Sequence, residues 1–241
     1  MKSKKQKTKQ ETPPIEDLRK ITLLERKKHH PEVHEVHKKY NISRRTLFYV
    51  KEYGKNANVS KTIIKESIKI LLLASVISSF GGLALEQIRT LFLSITPLLI
   101  LLPSLNDMLG DYGTVISSRF STMLHEGQIK GKWQKNKDLK KLFFQIIVLT
   151  IIAAVLSSSI AIGITYFSPE GISLQTAAKV FLIVLIDMLV LTNVLFFVAI
   201  FAGIYIYRKR EDPNNFLIPI TTSVADFSNM IILTLLIIIL F

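Results

Sequence analysis

The sequence has no cysteine among its 241 residues, so disulfide bonds, thiolate metal ligands and a cysteine nucleophile are excluded. It also lacks the GxxxxGK[ST] phosphate loop, the HExxH zinc motif and the GxSxG nucleophile elbow. Nothing in the sequence therefore indicates an enzyme, a bound cofactor or a process driven by ATP bound to this chain.

Acidic residues are scarce beside basic ones: 18 Asp and Glu face 31 Lys and Arg, which gives a net charge of +13. Nineteen of the 31 basic residues lie within residues 1–69, whereas apolar runs dominate after Ile70. Because the basic residues and the apolar runs occupy different parts of the chain, a strongly basic chain can still have a positive mean hydropathy of +0.36. This separation predicts an integral membrane domain behind a basic tail. Because the first long apolar run begins near residue 70, we expect no secretory signal peptide.

Residues 1–61 are predicted to form a basic cytoplasmic tail, partly disordered and with short helices. The start, 1–12, is too polar to order itself, and helical spacing of apolar residues predicts an amphipathic helix over about 13–28 and another helix over 38–54. Such a tail attracts anionic lipid at the cytoplasmic membrane face. Segment 41–50 faintly resembles a helix-turn-helix recognition helix, but lipid binding is favoured over nucleic-acid binding.

Four histidines are clustered in the tail: His29, His30, His34 and His37. One helix turn would bring some of these imidazoles to a metal ion, but a solvated polar face is the favoured interpretation. Pro31 also argues against a continuous helix from His29.

Five apolar spans follow, and each is near or above the roughly 20 residues that cross a bilayer. They lie at about 67–86, 89–124, 140–167, 177–207 and 214–241, and the second is long and interrupted by a polar stretch, 103–127. We therefore expect residues 62–241 to form an all-α membrane domain of five transmembrane helices.

The connections between the spans carry unequal charge. Six lysines lie in 125–141 and three basic residues lie in 208–213, whereas the connections near 87 and at 168–176 have essentially none. Basic loops stay in the cytoplasm, so the pattern predicts a cytoplasmic N-terminus and an external C-terminus. The predicted location is the cell membrane, with several crossings.

The polar stretch of the second span places acids and hydroxyls on one helical stripe. Its members, spaced 4, 3, 4 and 3 residues apart, are Asp107, Asp111, Thr114, Ser118 and Ser121. A carboxylate is costly in hydrocarbon, so acids in a membrane helix usually face a bundle interior or a water-filled cavity and mark an ion path. This stretch is the first candidate site.

The fifth span repeats the pattern, with Thr222, Asp226 and Asn229 on one face and Pro219 freeing a backbone carbonyl nearby. An all-oxygen lining suits Mg²⁺, which is commonly held through one or two carboxylates with its waters retained. One Asp226 per chain is little for this task, but two copies across a dimer axis would be enough. The alternative for Asp226 is a neutral carboxyl that is hydrogen-bonded inside the bundle.

The predicted cation-contacting residues are Asp226, Asp111, Asp107, Asn106, Thr222, Thr114, Ser118 and Asn229. Asp187 in the fourth span has apolar neighbours at helical spacing, so helix packing, a proton-linked role and ion contact all stay open for it.

Two motifs resemble those of the MgtE-type magnesium channels and, more closely, those of their eukaryotic solute-carrier relatives. The first, P-x-L-x(4)-G-N-x(5)-A-S-R-L-S-T in the family, corresponds to PSLNDMLGDYGTVISSRFST at 103–122. The second, D-P-D-N-F-x-I-P-x-x-T-x-x-x-D, corresponds to DPNNFLIPITTSVAD at 212–226. The resemblance covers about 62–241. It implies a homodimer of five-helix bundles with a central pore, in which Asp226 contacts hydrated Mg²⁺ and the first motif lines the path.

The chain departs from this family pattern in three respects. Asp111 stands where the family usually has Asn, which adds charge. We expect the cytoplasmic Mg²⁺-sensing domains of the bacterial proteins to be missing, so that only the basic tail could substitute for them. The eukaryotic relatives carry two units per chain and this chain carries one, so dimerisation would restore the pair.

The sequence thus leaves three functional hypotheses. The first is a dimeric pore for Mg²⁺, with Mn²⁺ or Co²⁺ as alternatives, driven by the ion gradient or the membrane potential. The second is a cation exchanger coupled to Na⁺ or H⁺ that uses Asp187 or Asp111 as the coupling acid. The third is a membrane-anchored regulator whose basic tail binds nucleic acid or anionic lipid.

Overall fold

The computed structural model describes residues 31–40, 42, 59–129, 136–169 and 171–241. Within these ranges the chain is helical and has no strand. Its helices are α1 (Pro31–Tyr40), α2 (Val59–Gln87), α3 (Arg89–Leu93), α4 (Thr96–His125), α5 (Lys137–Tyr166), α6 (Leu174–Arg208) and α7 (Pro213–Leu240).

The tail is described only in part. Helix α1 begins at Pro31 and includes His34 and His37. His29, His30 and the predicted helix over 13–28 lie outside the described residues, as does most of the predicted helix over 38–54.

Four helices are long and apolar enough to cross a membrane: Ile63–Gln87, Lys137–Tyr166, Leu174–Arg208 and Pro213–Leu240. They correspond to the first, third, fourth and fifth predicted spans. Helix α4 is 30 residues long but carries the polar stretch, and it is not among the four. The crossing by α4 stays a prediction.

The polar stretch interrupts the apolar run of the second span but not its helix. Helix α4 runs unbroken through it, with Pro103 inside the helix. The break lies earlier, at Ser94 and Ile95, where Ile95 leaves the helical region with φ −107° and ψ 76°. Pro97 has no backbone N–H to donate to the carbonyl of Leu93, so the helix cannot continue across this point without losing a bond.

Side-chain caps fix where three of the long helices begin. Asn136 accepts hydrogen bonds from the backbone N–H groups of Asp138 and Leu139 at the start of α5. Ser173 accepts one from Thr176 at the start of α6, and Asp212 accepts one from Asn214 at the start of α7. These residues satisfy N–H groups that a helix leaves unpaired in its first turn.

Helix α7 lies at the centre of the bundle and packs against α2, α4 and α6. Helices α4 and α6 also pack together, and α5 covers them from outside. Two apolar clusters fill the interior at opposite ends: one includes Leu109, Ile116, Phe120, Leu195, Ile200 and Leu217, and the other Leu98, Leu101, Leu105, Val184, Met188 and Leu233.

Helix α2 contacts α7 along one narrow stripe and exposes apolar side chains such as Leu72 and Leu83 elsewhere. The contact is close at Gly81, where an added Cβ would lie 3.1 Å from Phe227 Cα and 3.2 Å from Met230 Cγ. The absence of a side chain at Gly81 thus permits the close approach of α2 to α7. An added Cβ at the neighbouring Gly82 would have nothing within 4 Å.

These two glycines provide a matched test of the α2–α7 packing. Gly81→Ala should destabilise the purified chain by roughly 1–3 kcal/mol, because the backbone at Phe227 cannot move aside as a side chain can. Gly82→Ala should be neutral or stabilising by up to about 1 kcal/mol, because alanine favours a helix over glycine. Thermal unfolding in detergent measures both, and equal effects of the two substitutions would show that α2 does not pack as described.

Candidate cation site

The polar stretch of α4 lies on the outer surface of the single bundle. Asp107, Asp111 and Ser118 are exposed, and Thr114 is half-buried with its hydroxyl donating to the Gly110 carbonyl at 3.1 Å. Ser121, the last member of the predicted stripe, is only 3% exposed and turns toward the interior. The stripe therefore forms an outward polar face along most, but not all, of its predicted length.

The other side of α4 packs against α7. An added Cβ at Gly113 would lie 3.1 Å from Thr221 Oγ1, and one at Gly110 would lie 3.6 Å from Thr222 Cγ2. One turn further along, the hydroxyls of Ser117 and Thr221 are 3.0 Å apart and share a hydrogen bond. The fold thus brings the 103–122 and 212–226 motifs into direct contact, with small residues permitting the close approach.

A buried amide pair joins the same two helices nearer their other ends. Asn229 is fully buried, and its side-chain amide donates to Asn106 Oδ1. Contacts of Thr221 with Ser117 and of Asn229 with Asn106 run in opposite chain directions, so α4 and α7 are antiparallel. Both asparagines were predicted site residues, and the structure places them together.

Asp226 is half-buried and lies between Thr222 and Asn229 on α7. The Ser78 hydroxyl of α2 donates to its Oδ2 atom at 3.2 Å. Because Thr222 lies beside Gly110 and Asn229 beside Asn106, Asp226 is at about the level of Asp107 in the bundle. No hydrogen bond joins the two carboxylates, and Asp226 is directed toward α2.

A second polar contact joins α2 and α7 close to their N-termini. The side-chain amide of Asn215 donates to Glu66 Oε2 at 3.3 Å, and Glu66 is 9% exposed. Together with the bond between Ser78 and Asp226, this pairing shows that α2 and α7 run parallel. The sequence did not point to Ser78 or Glu66, and it marked Asn215 only as a member of the second motif, because a pairing across almost 150 residues leaves no local pattern.

The last residue of α4 also contacts the first residue of the second motif. His125 Nε2 lies 3.1 Å from Asp212 Oδ1, and the histidine ring meets the Tyr207 ring edge-on at a centroid distance of 5.5 Å. The same Asp212 oxygen caps α7. This contact fixes the turn that positions α7 against α4.

Asp187 of α6 is fully buried, and neither carboxyl oxygen has a hydrogen-bond partner among the described residues. Ile183, Val184 and Leu191 beside it are fully buried as well. The apolar environment expected from the sequence is confirmed.

Within the described ranges, no group of three or more His, Asp or Glu side chains is placed to hold a metal ion in a single chain. The acids of α4 face outward and Asp226 faces α2, so one copy supplies oxygen atoms on two helices without enclosing a site. A cation on these residues needs ligands from water or from a second copy.

Comparison with known proteins gives one finding. A family model described as MgtE, divalent cation transporter, matches residues 102–236, which is more than half of the chain and includes the whole of both motifs. No curated protein and no solved structure matches the chain.

Proposed function

Because the chain belongs to the MgtE family of divalent cation transporters, we propose that two copies form one passage for Mg²⁺ across the cell membrane. The family transports ions and does not catalyse reactions, so the chain is a transporter and not an enzyme. The proposal concerns how the passage is built and what drives the ion through it.

The main support for a two-copy passage is the outward polar face of α4. Asp107 and Asp111 are exposed on a bundle whose outer surface is elsewhere largely apolar, and a carboxylate facing lipid tails is costly. This face must therefore meet water or another polar surface. A second copy that presents the same face across a two-fold axis provides both and removes the cost.

Asp226 is the ion-contacting group of α7 in this proposal. Two copies of Asp226 bring two carboxylates to one passage, and the hydroxyl and amide oxygens of Thr222, Thr114, Ser118 and Asn106 support them. Mg²⁺ sheds water reluctantly and keeps several waters when it binds carboxylates. Contact through retained water suits side chains that line a passage without closing around the ion.

The membrane potential, which is negative inside, drives the cation inward, and the basic connections predict a cytoplasmic N-terminus. The basic tail then lies against anionic lipid at the cytoplasmic face. Buried Asp187 favours a second candidate, in which cation movement is coupled to Na⁺ or H⁺, with Asp111 as the alternative coupling acid.

Asp226→Asn tests the ion contact directly. The amide preserves the shape and an acceptor for Ser78 but removes the charge. Mg²⁺ uptake into proteoliposomes should fall at least about tenfold, because a carboxylate about 4 Å from a unit charge contributes about 4 kcal/mol at an effective dielectric constant near 20. Asp138→Asn, on the exposed first turn of α5, is the control. Unchanged uptake by Asp226→Asn would contradict the proposal.

Ser78→Ala tests whether α2 orients the Asp226 carboxylate. Loss of one hydrogen bond, worth about 0.5–1.5 kcal/mol, should raise the half-saturating Mg²⁺ concentration several-fold with little change in maximal flux. Ser79→Ala is the matched control, because the Ser79 hydroxyl is exposed and bonds the Ser75 carbonyl of its own helix. A half-saturating concentration unaltered by Ser78→Ala would show that this contact does not position the carboxylate.

The two-copy arrangement is tested by cross-linking, which the absence of native cysteine makes specific. Ser118→Cys places one thiol on the polar face of α4 and should yield a cross-linked dimer with a short bismaleimide in membranes. Phe144→Cys, which is on an exposed apolar position of α5, should remain monomeric on the gel. The reverse result would place the interface on α5 and overturn the arrangement.

A further inference from the structure

Helix α2 carries a row of lysines near its start. Lys61, Lys65 and Lys69 follow one another at four-residue intervals, and all three are exposed. In an α-helix each such interval advances about 6 Å along the axis and about 40° around it, so the row spans about 12 Å within an arc of about 80°. The three lysines therefore lie on one continuous strip of the helix surface.

The packing of α2 against α7 shows which way this strip faces. Gly81, where an added Cβ would lie 3.1 Å from Phe227 Cα, is on the α7 side of α2, and Ala74 two turns earlier is buried. Lys65 precedes Ala74 by nine residues, which is about two and a half turns of helix. The lysine row is therefore on the side of α2 that faces away from the bundle.

Apolar side chains continue the same outward face beyond the lysines. Leu72 follows Lys65 by seven residues and Val76 follows Lys69 by seven, which is about two turns, so the pairs share a face. Leu72 is 66% exposed and Val76 is 54% exposed. Both belong to the segment Ile63–Gln87, which is long and apolar enough to cross a membrane. The outward face of α2 thus changes from basic to apolar along its length.

No acid of α2 balances these lysines. The helix has two acids: Glu66 is buried and accepts a hydrogen bond from an amide of α7, and Glu86 is near the other end, where it pairs with Arg89 at 3.5 Å. Lys65 and Lys69 form no ion pair with any residue in the described ranges. Because like charges one helix turn apart repel each other, an anion on this strip would stabilise α2.

Charge and position together indicate what covers this face. A second copy presenting the same face would place lysines against lysines, and the tail that precedes α2 is itself strongly basic. A soluble phosphate would leave the apolar side chains beyond the row uncovered. An anionic phospholipid suits both parts, because its phosphate pairs with ammonium groups and its acyl chains lie along apolar side chains.

We infer that the outward face of α2 is a binding site for an anionic phospholipid. The phosphate is held by the lysine row, and the acyl chains lie against Leu72 and Val76. Because α2 runs parallel to α7, and α7 begins close to where α6 ends, the row lies at the end of the bundle that carries the basic connections. The lipid therefore belongs to the leaflet that is predicted to be cytoplasmic.

This site differs from the general attraction between the tail and an anionic membrane, because it depends on particular lysines of one long helix. The same helix carries Ser78, whose hydroxyl donates to Asp226. A lipid that holds α2 in place therefore also holds the donor to that carboxylate. The connection to transport rests on the proposed function, whereas the lipid site does not.

The test is native mass spectrometry of the purified full chain in detergent, titrated with phosphatidylglycerol or with phosphatidylcholine. A lysine near the headgroups strengthens the binding of anionic lipid about fivefold. We therefore expect wild type to bind its first phosphatidylglycerol at least about tenfold more tightly than its first phosphatidylcholine. Equal affinity for the two lipids would overturn the inference.

Neutralising the row should abolish this preference. The variant combines Lys61→Gln, Lys65→Gln and Lys69→Gln, and it should bind phosphatidylglycerol no more tightly than phosphatidylcholine. If this variant does not fold, Lys65→Gln with Lys69→Gln carries the same comparison. Arginine at the same three positions keeps the charge and should keep the preference, which separates loss of charge from loss of structure.

The matched control removes the same charge from the same end of the bundle. It neutralises three exposed lysines in the first turns of α5: Lys137→Gln, Lys140→Gln and Lys141→Gln. This control should keep the wild-type preference for phosphatidylglycerol. An equal loss in both glutamine variants would show that the lipid responds to net charge and not to the row, and the inference would fail.

Two further results separate the lipid from other occupants of this face. Glycerol phosphate, which has the phosphate but no acyl chains, should not displace phosphatidylglycerol at equal concentration, and displacement would identify a site for soluble phosphate. Neutralising the row should leave the monomer-to-dimer ratio unchanged, and an altered ratio would place a second copy on this face. Either result would overturn the lipid assignment. None of these measurements requires transport, so they are independent of Mg²⁺ flux.

Discussion

A carboxylate on a membrane helix must meet water, a cation or another polar surface, because hydrocarbon offers it none of these. Helix α4, whose crossing of the membrane is a prediction, carries two carboxylates, Asp107 and Asp111, on the outside of its own bundle. The same constraint acts on Asp226, which is half-buried, and on Asp187, which is fully buried. Asp107 and Asp111 face outward and Asp226 accepts a hydrogen bond from Ser78 of α2, whereas Asp187 is buried among apolar side chains.

Helix α7 carries Asp226 and packs against α2, α4 and α6. The other three acids lie on α4 and α6. Small residues let α4 and α2 approach it closely, at Gly110, Gly113 and Gly81. Polar side chains then join across each contact: Asn229 to Asn106, Thr221 to Ser117, and Asp226 to Ser78. In a membrane, where lipid competes with apolar packing, such contacts determine which faces meet. The positions of Asp226 and Asn229 are therefore set by the packing of α7.

The sequence predicted the helices and both motifs well, because apolar length and helical spacing are local properties. The predicted spans 140–167, 177–207 and 214–241 agree closely with Lys137–Tyr166, Leu174–Arg208 and Pro213–Leu240. The helix break at Ser94 and Ile95 was not predicted, although Pro97 lacks the backbone N–H that a continuous helix would need there.

Pairings between distant helices were not predictable from one sequence. Ser78 looks like any serine in an apolar run, and only its distance from Asp226 in the fold distinguishes it. Ser121 satisfied the helical spacing of the polar stripe yet lies inside, because the packing of α4 on its neighbours shifts the boundary between the two faces along the helix. The ion-contacting roles of Asp107, Asp111 and Asp226 stay predictions.

The central claim is that two copies place the polar faces of α4 and α7 around one aqueous passage. The most direct measurement is an electron cryo-microscopy map of the chain in lipid nanodiscs with saturating Mg²⁺. The account predicts a two-fold dimer with Asp107, Asp111 and Asp226 of both copies along a hydrated axis, and with density for an ion between the Asp226 side chains. A map in which α4 faces lipid, or in which the copies meet through α5 with no passage between them, would contradict it.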